Sequence, residues 1–242
     1  MADVIVVADA HLDQQAQKLA RFLSFLDFLR ASPPQALYLL GDLFTIWLGT
    51  AKMQLPHQAT VVAALRTLQA QGIRLTYVEG NRDYFLAPCY LHAPFQEIAA
   101  EHAQARIGDK RVYFAHGDLV NAHDQQYRLW RSISRNRLLY RGFECLPRAV
   151  AVHFVHYLER AFRETNQRQK AAFPAETCAD YARRILETGY DAIILGHFHE
   201  ERQQTFAING QPKYLYVLPA WKDTPTYLRI TAHGACVFQQ FG

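Results

Sequence analysis

Five stretches of the sequence decide the fold: VIVVADAH (residues 4–11), LYLLGD (37–42), LTYVEGNRD (75–83), VYFAHGD (112–118) and IILGHFH (193–199). Each opens with a short, nearly unbroken apolar run, which is typical of a strand buried on both faces. Segments with helical periodicity separate several of these runs, so the sequence predicts β-α-β units with parallel strands. In open α/β sheets ligands bind beyond the carboxyl ends of the strands, and all five polar ends are expected at that edge.

The five polar ends carry ligands for two metal ions. The candidate ligands are Asp9, His11, Asp42, Asn81, His116, His197 and His199. Their oxygen and nitrogen atoms suit a borderline divalent metal, and a shared carboxylate, here Asp42, can hold two ions about 3.5–4 Å apart for attack at phosphorus. An isolated Asp or His after a strand is more often a cap, a turn or a core residue, but five complementary blocks outweigh that explanation.

The rest of the chain predicts two helices and a second sheet. Helical periodicity covers 14–30 and 58–70, and both helices are expected to pack on the sheet. Strand character returns at 213–218, 227–231 and 235–239, which predicts a second, largely antiparallel sheet. The result is a four-layer α/β/β/α sandwich. With 242 residues, half of them hydrophobic, the chain can bury a sizeable core.

A basic segment interrupts this pattern. Residues 119–178 contain ten basic and five acidic side chains, so the net charge of +4 of the whole chain comes from this segment. It is predicted to form a helical, amphipathic cap over a catalytic domain made of residues 1–118 and 179–242. Its apolar residues, such as Trp130 and Phe154, could bind acyl chains, and the amphipathic helices could lie on an anionic membrane surface. The alternative is that they simply pack on the main domain.

In their order, Asp-x-His, Gly-Asp, Gly-Asn-x-Asp, His-Gly and Gly-His-x-His resemble the motifs of the calcineurin-like metallophosphoesterase superfamily. The likeness spans Asp9 to His199. It implies a dimetal site, most simply of Mn²⁺, in which Asp42 bridges the ions. One ion is then held by Asp9, His11, Asp42 and His199, and the other by Asp42, Asn81, His116 and His197. Asn81 and His197 are also expected to contact the substrate and to take part in catalysis.

Arg82 stands where the superfamily usually has a histidine. A guanidinium is no general acid at neutral pH, but its rigid fork can hold two phosphoryl oxygens and neutralise developing charge. The leaving group must therefore need little protonation. A phosphate that leaves from a pyrophosphate meets this condition and an alkoxide does not, so Arg82 predicts phosphoanhydride cleavage.

Several longer motifs resemble the UDP-2,3-diacylglucosamine pyrophosphatase family of lipid A biosynthesis: GNRD at 80–83, GDLF at 41–44, and HGD at 116–118 followed by Asp124 and Tyr127. The resemblance implies hydrolysis of UDP-2,3-diacylglucosamine, or a similar lipid-linked nucleotide, to UMP and 2,3-diacylglucosamine 1-phosphate. It places substrate contacts at Asn81, Arg82, Asp124, Tyr127, Arg163, Asn166, Arg168, Lys170 and His197.

Three positions depart from that family. Thr45 stands where the family favours an acidic residue, and LPAW at 218–221 has Pro219 and Ala220 where the family's LGDW segment has Gly and Asp. The chain is therefore expected to be a divergent relative. Its four cysteines form no C-x-x-C pair, no apolar run reaches about 18 residues, and the first strand leaves no room for a signal peptide. We expect a cytoplasmic protein that associates peripherally with the inner face of the membrane. The sequence does not predict its oligomeric state.

Three other functions compete with this one. A soluble nucleotide pyrophosphatase, or a nucleic-acid or cyclic-nucleotide phosphodiesterase, would also use an Arg-rich surface with interleaved aromatic residues. Nucleases of the superfamily generally retain the histidine that Arg82 replaces, which argues against nucleic acid as the substrate. A non-catalytic scaffold would lack ligands, and the five blocks lack none.

Overall fold

A computed structural model describes residues 3–122, 124–157 and 173–242 of the chain. Its strands are β1 (Val4–Val7), β2 (Ala36–Leu40), β3 (Trp47–Leu48), β4 (Arg74–Val78), β5 (Asp83–Tyr84), β6 (Glu97–Ala99), β7 (His102–Ile107), β8 (Lys110–Ala115), β9 (Ala192–Leu195), β10 (Arg202–Ile208), β11 (Gln211–Val217), β12 (Thr226–Ile230) and β13 (Cys236–Gln240). Its helices are α1 (Ala16–Ala31), α2 (Pro56–Ala70), α3 (Ala87–Tyr90), α4 (Gln125–Ser134), α5 (Arg137–Glu144), α6 (148–157, at the edge of the described range) and α7 (Ala175–Glu187). Residues Ala51–Met53 form one 3-10 turn.

Two stacked sheets form the centre of the described structure. The first has the strand order β13-β12-β1-β2-β4-β6, in which β1, β2, β4 and β6 are parallel and β12 is antiparallel to both of its neighbours, β1 and β13. The second has the order β10-β11-β9-β8-β7, with parallel β8, β9 and β11 between two antiparallel edge strands. Strands β3 and β5 form a small parallel pair. All five apolar runs therefore form strands, as predicted.

The predicted composition of the second sheet is wrong. Residues 227–231 and 235–239 extend the first sheet as β12 and β13, and the second sheet is built around three parallel strands. The reason lies in the apolar pattern, because Tyr227 packs on the α1 side of the first sheet while Leu228 lies between the sheets. A strand that is apolar on both faces carries no information about its partner sheet. The five polar ends consequently come from the edges of two sheets.

Side-chain alternation along the strands produces four layers. In β1, Ile5 and Val7 pack against helices α1 and α2, whereas Val4 and Val6 face the second sheet. On the far side, Ile193 of β9 packs against α7. Each such burial stabilises the fold by about 1.5–3 kcal/mol. The predicted α/β/β/α sandwich is confirmed.

Of the two segments that depart from the family motifs, LPAW keeps the family's tryptophan, Trp221, and both this residue and the divergent Thr45 have structural roles here. Trp221, which is buried, lies 4.5 Å from Phe25 and 5.7 Å from Phe22 between ring centroids, so it anchors α1 to the first sheet. Thr45 is also buried, and its hydroxyl donates a hydrogen bond to the carbonyl of His11 at 3.4 Å. Thr45 thus supports a turn of the predicted metal site without contributing a carboxylate.

Helices α4, α5 and α6 lie over the edge where the five polar ends meet. Ala151 and Val155 of α6 pack on Tyr84, and the hydroxyl of Tyr140 in α5 donates to the carbonyl of Gly49 at 2.8 Å. Helix α7 begins inside the predicted cap segment but packs on the second sheet, so the predicted boundary after residue 178 falls within a helix. The division into a catalytic domain and a cap remains a prediction. None of the helices in the described ranges is long and apolar enough to cross a membrane.

Candidate active site

The structure brings the seven predicted metal ligands together in two neighbouring groups. In the first group, Nε2 of His11 lies 3.2 Å from Nε2 of His199, and Oδ1 of Asp9 lies 3.7 Å and 3.4 Å from these two atoms. Neighbouring ligand atoms that bind one ion at about 2.1 Å lie about 3 Å apart. The spacing of these three side chains therefore suits a single cation.

The second group surrounds His116, which is fully buried. Its Nε2 lies 3.0 Å from Oδ1 of Asn81 and 3.2 Å from Nδ1 of His197. Asp42 directs Oδ1 to within 3.8 Å of His116 Nε2 and Oδ2 to within 4.0 Å of His11 Nε2. The Asp42 carboxylate therefore lies between the two groups, with one oxygen turned toward each.

The chemistry of Asp9 fits a bound cation. Its Oδ2 accepts a hydrogen bond from the N–H of His197 at 2.7 Å, which ties the first sheet to the second. Its Oδ1 is buried and accepts no hydrogen bond from the described residues. A buried carboxylate oxygen without a donor is costly, and a cation between Asp9 and the histidines would remove that cost. Carboxylate oxygen, amide oxygen and imidazole nitrogen together suit a borderline divalent metal.

The backbone is strained where it presents these ligands. Eight non-glycine residues of the described ranges have positive φ, and five of them are predicted ligands: Asp9 (54°), His11 (43°), Asp42 (51°), His197 (70°) and His199 (57°). L-residues rarely adopt this region, and such strain clusters at functional sites. Two glycines permit the close approach, because a Cβ on Gly80 would lie 2.3 Å from Asp42 Oδ1 and one on Gly196 would lie 2.7 Å from Asp9 Oδ2.

Burial and mutual charge shift the pKa values of the cluster. Burial raises the pKa of Asp42 to about 6, although His116 opposes the shift. Burial lowers the pKa of His116, but Asp42 and Asp9 outweigh it and raise that pKa to about 9. Burial and the charge of His116 lower the pKa of His197 to about 4. The carboxylates thus concentrate negative charge at the centre, which favours a cation there.

A cavity of about 360 Å³ opens beside the second group. Its lining includes five of the predicted substrate contacts: Asn81, Arg82, Asp124, Tyr127 and His197. Arg82 is only 9% exposed, and its backbone N–H donates to Asp42 Oδ1 at 2.8 Å. Asp124 caps α4 by accepting the N–H of Tyr127 at 2.8 Å, and the Tyr127 hydroxyl donates to Asp118. The other predicted contacts, Arg163, Asn166, Arg168 and Lys170, lie outside the described residues.

Comparison with known proteins establishes the family to which the chain belongs. Residues 2–201 match the sequence profile of the calcineurin-like phosphoesterases. The chain belongs to this family. A protein of Aromatoleum aromaticum named UDP-2,3-diacylglucosamine hydrolase is 30% identical over 240 residues, which cover 98% of this chain and 97% of that protein. A protein of Stutzerimonas stutzeri with the same name is 28% identical over 234 residues, 96% of each chain. The predicted superfamily and the divergent relationship are confirmed.

A solved structure agrees with the calcineurin-like phosphoesterase fold. An archaeal phosphodiesterase superposes with a TM-score of 0.50 over 99% of both chains, at 11% sequence identity. At this identity the likeness concerns the fold alone. Membership of this phosphoesterase family makes the chain a hydrolase, and the two groups of side chains contain its candidate metal-binding residues.

Sequence reasoning missed several residues of the phosphoesterase site. Asp83 and Asp118 close two of the quoted motifs, yet motif spacing gave no role to either. Asp83 bonds the backbone of the metal-ligand turns, and Asp118 accepts hydrogen bonds from the cap. From the sequence, Arg131 and Arg135 are only two of the basic residues in segment 119–178, and nothing predicts their contacts with the candidate site. Their partners lie far away in sequence, so the residue pattern contains no signal for them.

Proposed function

We propose that the protein is a dimetal hydrolase that cleaves the pyrophosphate bond of UDP-2,3-diacylglucosamine, or of a similar lipid-linked UDP-sugar. The products would be UMP and 2,3-diacylglucosamine 1-phosphate. The observation that carries the proposal is the position of Arg82, which lines the cavity beside the candidate metal ligands Asn81 and His197. The names of the two curated relatives support the same substrate.

The ligands would hold two divalent ions, which we propose to be Mn²⁺. One ion would be held by Asp9, His11, Asp42 and His199, and the other by Asp42, Asn81, His116 and His197. Bound there, such ions supply the positive charge that polarises a phosphoryl group and lowers the pKa of the attacking water. The placement of Asp42, with one oxygen turned to each group, supports its role as the bridging ligand.

Arg82 is held so that its guanidinium can meet the phosphoryl group. Its backbone N–H donates to Asp42 Oδ1 at 2.8 Å, and its carbonyl accepts the N–H of Trp47 at 2.9 Å. The backbone is fixed on both sides and the residue is only 9% exposed, so the surroundings restrict the side chain before its guanidinium binds two phosphoryl oxygens. A water oxygen would form a bond to one phosphorus and release a proton to solvent, while the bridging P–O bond breaks and the other phosphate leaves as a stable anion that requires no proton. Arg82 therefore stabilises charge, and Asn81 and His197 help to orient the diphosphate.

The cavity suits the nucleoside part of the substrate. Its volume of about 360 Å³ is in the range of small-ligand sites. Tyr127, Trp130 and Phe198 provide aromatic surface in its lining, and Asn121 and Thr177 provide polar groups. Stacking of a base on an aromatic side chain contributes about 1–3 kcal/mol, and the polar groups can meet the edge of the base. Asp124 and Tyr127 shape this end of the cavity through their hydrogen bonds.

The cap surface suits the lipid part. Large apolar side chains of α4, α5 and α6 are between 44% and 73% exposed: Leu129, Trp130, Ile133, Leu138, Val150, Phe154 and Tyr157. Exposed apolar groups among many arginines favour contact with acyl chains and anionic lipid headgroups. We therefore propose peripheral attachment to the inner face of the cytoplasmic membrane. Arg163, Asn166, Arg168 and Lys170 remain proposed substrate contacts.

The substrate is tested by offering three compounds in parallel. The protein, with Mn²⁺ and detergent, is incubated with UDP-2,3-diacylglucosamine, UDP-glucose and bis(p-nitrophenyl) phosphate, and UMP or nitrophenol is measured. We expect UMP chiefly from the acylated substrate. Each acyl chain lengthened by two carbons should improve affinity by up to about 15-fold, because a buried methylene contributes about 0.8 kcal/mol.

Two outcomes would contradict parts of this proposal. Equal rates on acylated and unacylated UDP-sugars would exclude the lipid and favour a soluble nucleotide pyrophosphatase. Hydrolysis of the diester alone would exclude pyrophosphatase chemistry and favour a phosphodiesterase. EDTA-treated protein is the control for metal dependence in all three assays.

A further inference from the structure

Two arginines at the C-terminal end of α4 contact the turns that carry the candidate metal ligands. Arg131 lies in the last turn of the helix, and Arg135 is the residue that caps it, with its backbone N–H donating to the carbonyl of Arg131 at 3.1 Å. Each guanidinium binds one carboxylate and one backbone carbonyl of the sandwich. The four acceptors lie next to the ends of β4, β6 and β8.

Arg135 holds the turn that contains Asn81. Its Nη1 donates to Glu79 Oε2, and its Nη2 donates to the carbonyl of Gly80 at 2.8 Å. The other Glu79 oxygen accepts the N–H of Leu86 at 2.9 Å, so Glu79 fixes the far side of the same loop. The side chains of Arg135 and Glu79 are 17% and 7% exposed. Arg135 therefore acts on the residue that directly precedes Asn81.

Arg131 holds the turn that contains His116. Its Nη1 donates to Asp118 Oδ2 at 2.5 Å, and its Nη2 donates to the carbonyl of Ala100 at 2.6 Å. The Tyr127 hydroxyl, from the same helix, donates to the same Asp118 oxygen. The side chains of Arg131 and Asp118 are 10% and 4% exposed, so this ion pair is shielded from water.

We propose that α4 sets the geometry of the metal centre, with Arg131 and Arg135 as positioning residues for the His116 turn and the Asn81 turn. Asn81 Oδ1 and His116 Nε2 are 3.0 Å apart, and each turn is held by a different arginine at the C-terminal end of α4. Since the backbone N–H of Arg135 donates to the carbonyl of Arg131, the end of this helix links the two turns and sets the spacing of the two ligands. The inference rests on the metal-binding roles proposed for Asn81 and His116, but not on the nature of the substrate.

The two arginine contacts are well suited to fix the position of a turn, because each is largely buried and each guanidinium meets two acceptors. A guanidinium fork that meets two acceptors is directional, so it restricts rotation of the bound turn as well as its position. Groups that support metal ligands from outside typically change metal affinity or activity 10- to 100-fold when removed. Loss of either arginine would also leave a buried carboxylate without its charge partner.

Another cap contact provides the matched control. The hydroxyl of Tyr140 in α5 donates to the carbonyl of Gly49 at 2.8 Å, so it also fastens the cap to the sandwich. Gly49 belongs to neither of the two ligand turns. Tyr140→Phe removes this hydrogen bond, keeps the ring that packs on Phe85 at 4.4 Å between centroids, and leaves the arginine contacts of Glu79, Gly80 and Asp118 in place.

The test compares Arg131→Lys, Arg135→Lys and the corresponding Ala variants with Tyr140→Phe and the unaltered protein. Hydrogen exchange of residues 79–83 and 115–119 is measured on metal-free protein, and Mn²⁺ binding is measured by titration calorimetry. A lysine retains the charge but cannot meet both acceptors. We expect faster hydrogen exchange in the His116 turn of the Arg131 variants and in the Asn81 turn of the Arg135 variants. The Mn²⁺ site formed by Asn81 and His116 should bind 10- to 100-fold more weakly, and the Lys variants should show smaller effects than the Ala variants.

Two results would overturn the proposal. One is that the Lys and Ala variants of both arginines keep unaltered exchange and Mn²⁺ affinity. The other is that Tyr140→Phe disturbs the two turns as much as the arginine variants do, which would make the arginines ordinary cap anchors. Should an Ala variant fail to fold, the Lys variants decide. Because no nucleotide is used, a wrong substrate assignment would leave these measurements unchanged.

Discussion

Asp83 Oδ2 accepts a hydrogen bond from the backbone N–H of Asp42 at 2.9 Å, and so joins the turn after β4 to the turn after β2. The same oxygen accepts the N–H of Gly80 and the hydroxyl of Tyr77, both at 2.8 Å. The Tyr77 hydroxyl in turn accepts the N–H of Leu43 at 3.2 Å. One buried carboxylate thus holds two ligand turns, one of which has the left-handed backbone of Asp42.

Removing this carboxylate should weaken the fold as well as the site. In Asp83→Ala three buried donors lose their acceptor, at about 1–3 kcal/mol each, so we expect the free energy of unfolding to fall by about 3 kcal/mol or more. Tyr77→Phe removes only one of the donors and should cost about 1 kcal/mol. Urea unfolding of the metal-free proteins measures both. If the free energy of unfolding falls by less than about 1 kcal/mol in Asp83→Ala, the two turns do not depend on the Asp83 carboxylate for their stability.

Asp191 provides a pH-dependent contribution on the opposite side of the molecule. Its Oδ2 accepts the N–H of Arg111 at 2.8 Å, and its Oδ1 pairs with Lys213 Nζ at 2.9 Å. Burial raises the pKa of this carboxyl, but the hydrogen bonds and Lys213 outweigh it, so the pKa is lowered. A lowered pKa in the folded state stabilises the protein above the unfolded value of about 3.9, and that stability is lost as pH falls through the folded pKa.

Asp191→Asn should therefore lower the free energy of unfolding at pH 7 by about 1 kcal/mol, the usual contribution of such contacts. The difference from the unaltered protein should shrink as pH falls below about 4, where the native carboxyl also becomes protonated. Asp180→Asn is the control, because Asp180 is 71% exposed and pairs only loosely with Arg183. A difference that stays constant from pH 7 to the acid range would contradict the assignment.

The strands and the ligand cluster follow from the sequence because both depend on local pattern. A run such as 193–195 is apolar enough to be a buried strand, and the residues that follow it must lie at the sheet edge. The sheet to which β12 belongs cannot be predicted from the sequence. Tyr227 and Leu228 lie on opposite faces of this strand and both are apolar, so neither face distinguishes one sheet from the other. The contacts of Asp83 do not follow either, since its bond to Asp42 spans 41 residues. Local pattern predicts the candidate ligands, whereas only the tertiary contacts reveal which residues hold their turns in place.

Metal binding should stabilise the protein measurably. The ligand turns are strained and Asp9 Oδ1 accepts no hydrogen bond from the described residues, so a cation relieves costs that the metal-free fold bears. At a metal concentration of 100 times Kd each site adds about 2.7 kcal/mol, which for a chain of this size raises Tm by about 5–10 °C. Mn²⁺ added after EDTA treatment should produce this rise in a thermal melt.

Asp42→Ala tests whether the rise comes from the proposed centre. The variant lacks the carboxylate that lies between the two groups, so it should lose the Mn²⁺-dependent rise in Tm, most of its bound metal and its activity. Metal content is measured by mass spectrometry of the purified protein. Full metal occupancy with normal turnover would rule out Asp42 as the bridging ligand.

Arg82→Ala should separate catalysis from metal binding. Arg82 lines the cavity beside Asn81, but it is proposed to hold phosphoryl oxygens and to bind no metal. Its loss should therefore lower kcat by about two powers of ten, the range for a lost charge-stabilising group, while Mn²⁺ content stays that of the unaltered protein. Steady-state kinetics on the nucleotide substrate and metal analysis are run on the same preparations.

Arg82→His tests the leaving-group argument directly. If the reaction releases a phosphate, an added general acid contributes little, and the variant should remain as slow as Arg82→Ala on the pyrophosphate substrate. On a diester with a poorer leaving group, the imidazole could donate a proton, so Arg82→His should surpass Arg82→Ala there. Full recovery of the pyrophosphate reaction in Arg82→His would mean that the leaving group does need a proton, and the case for phosphoanhydride cleavage would fail with it.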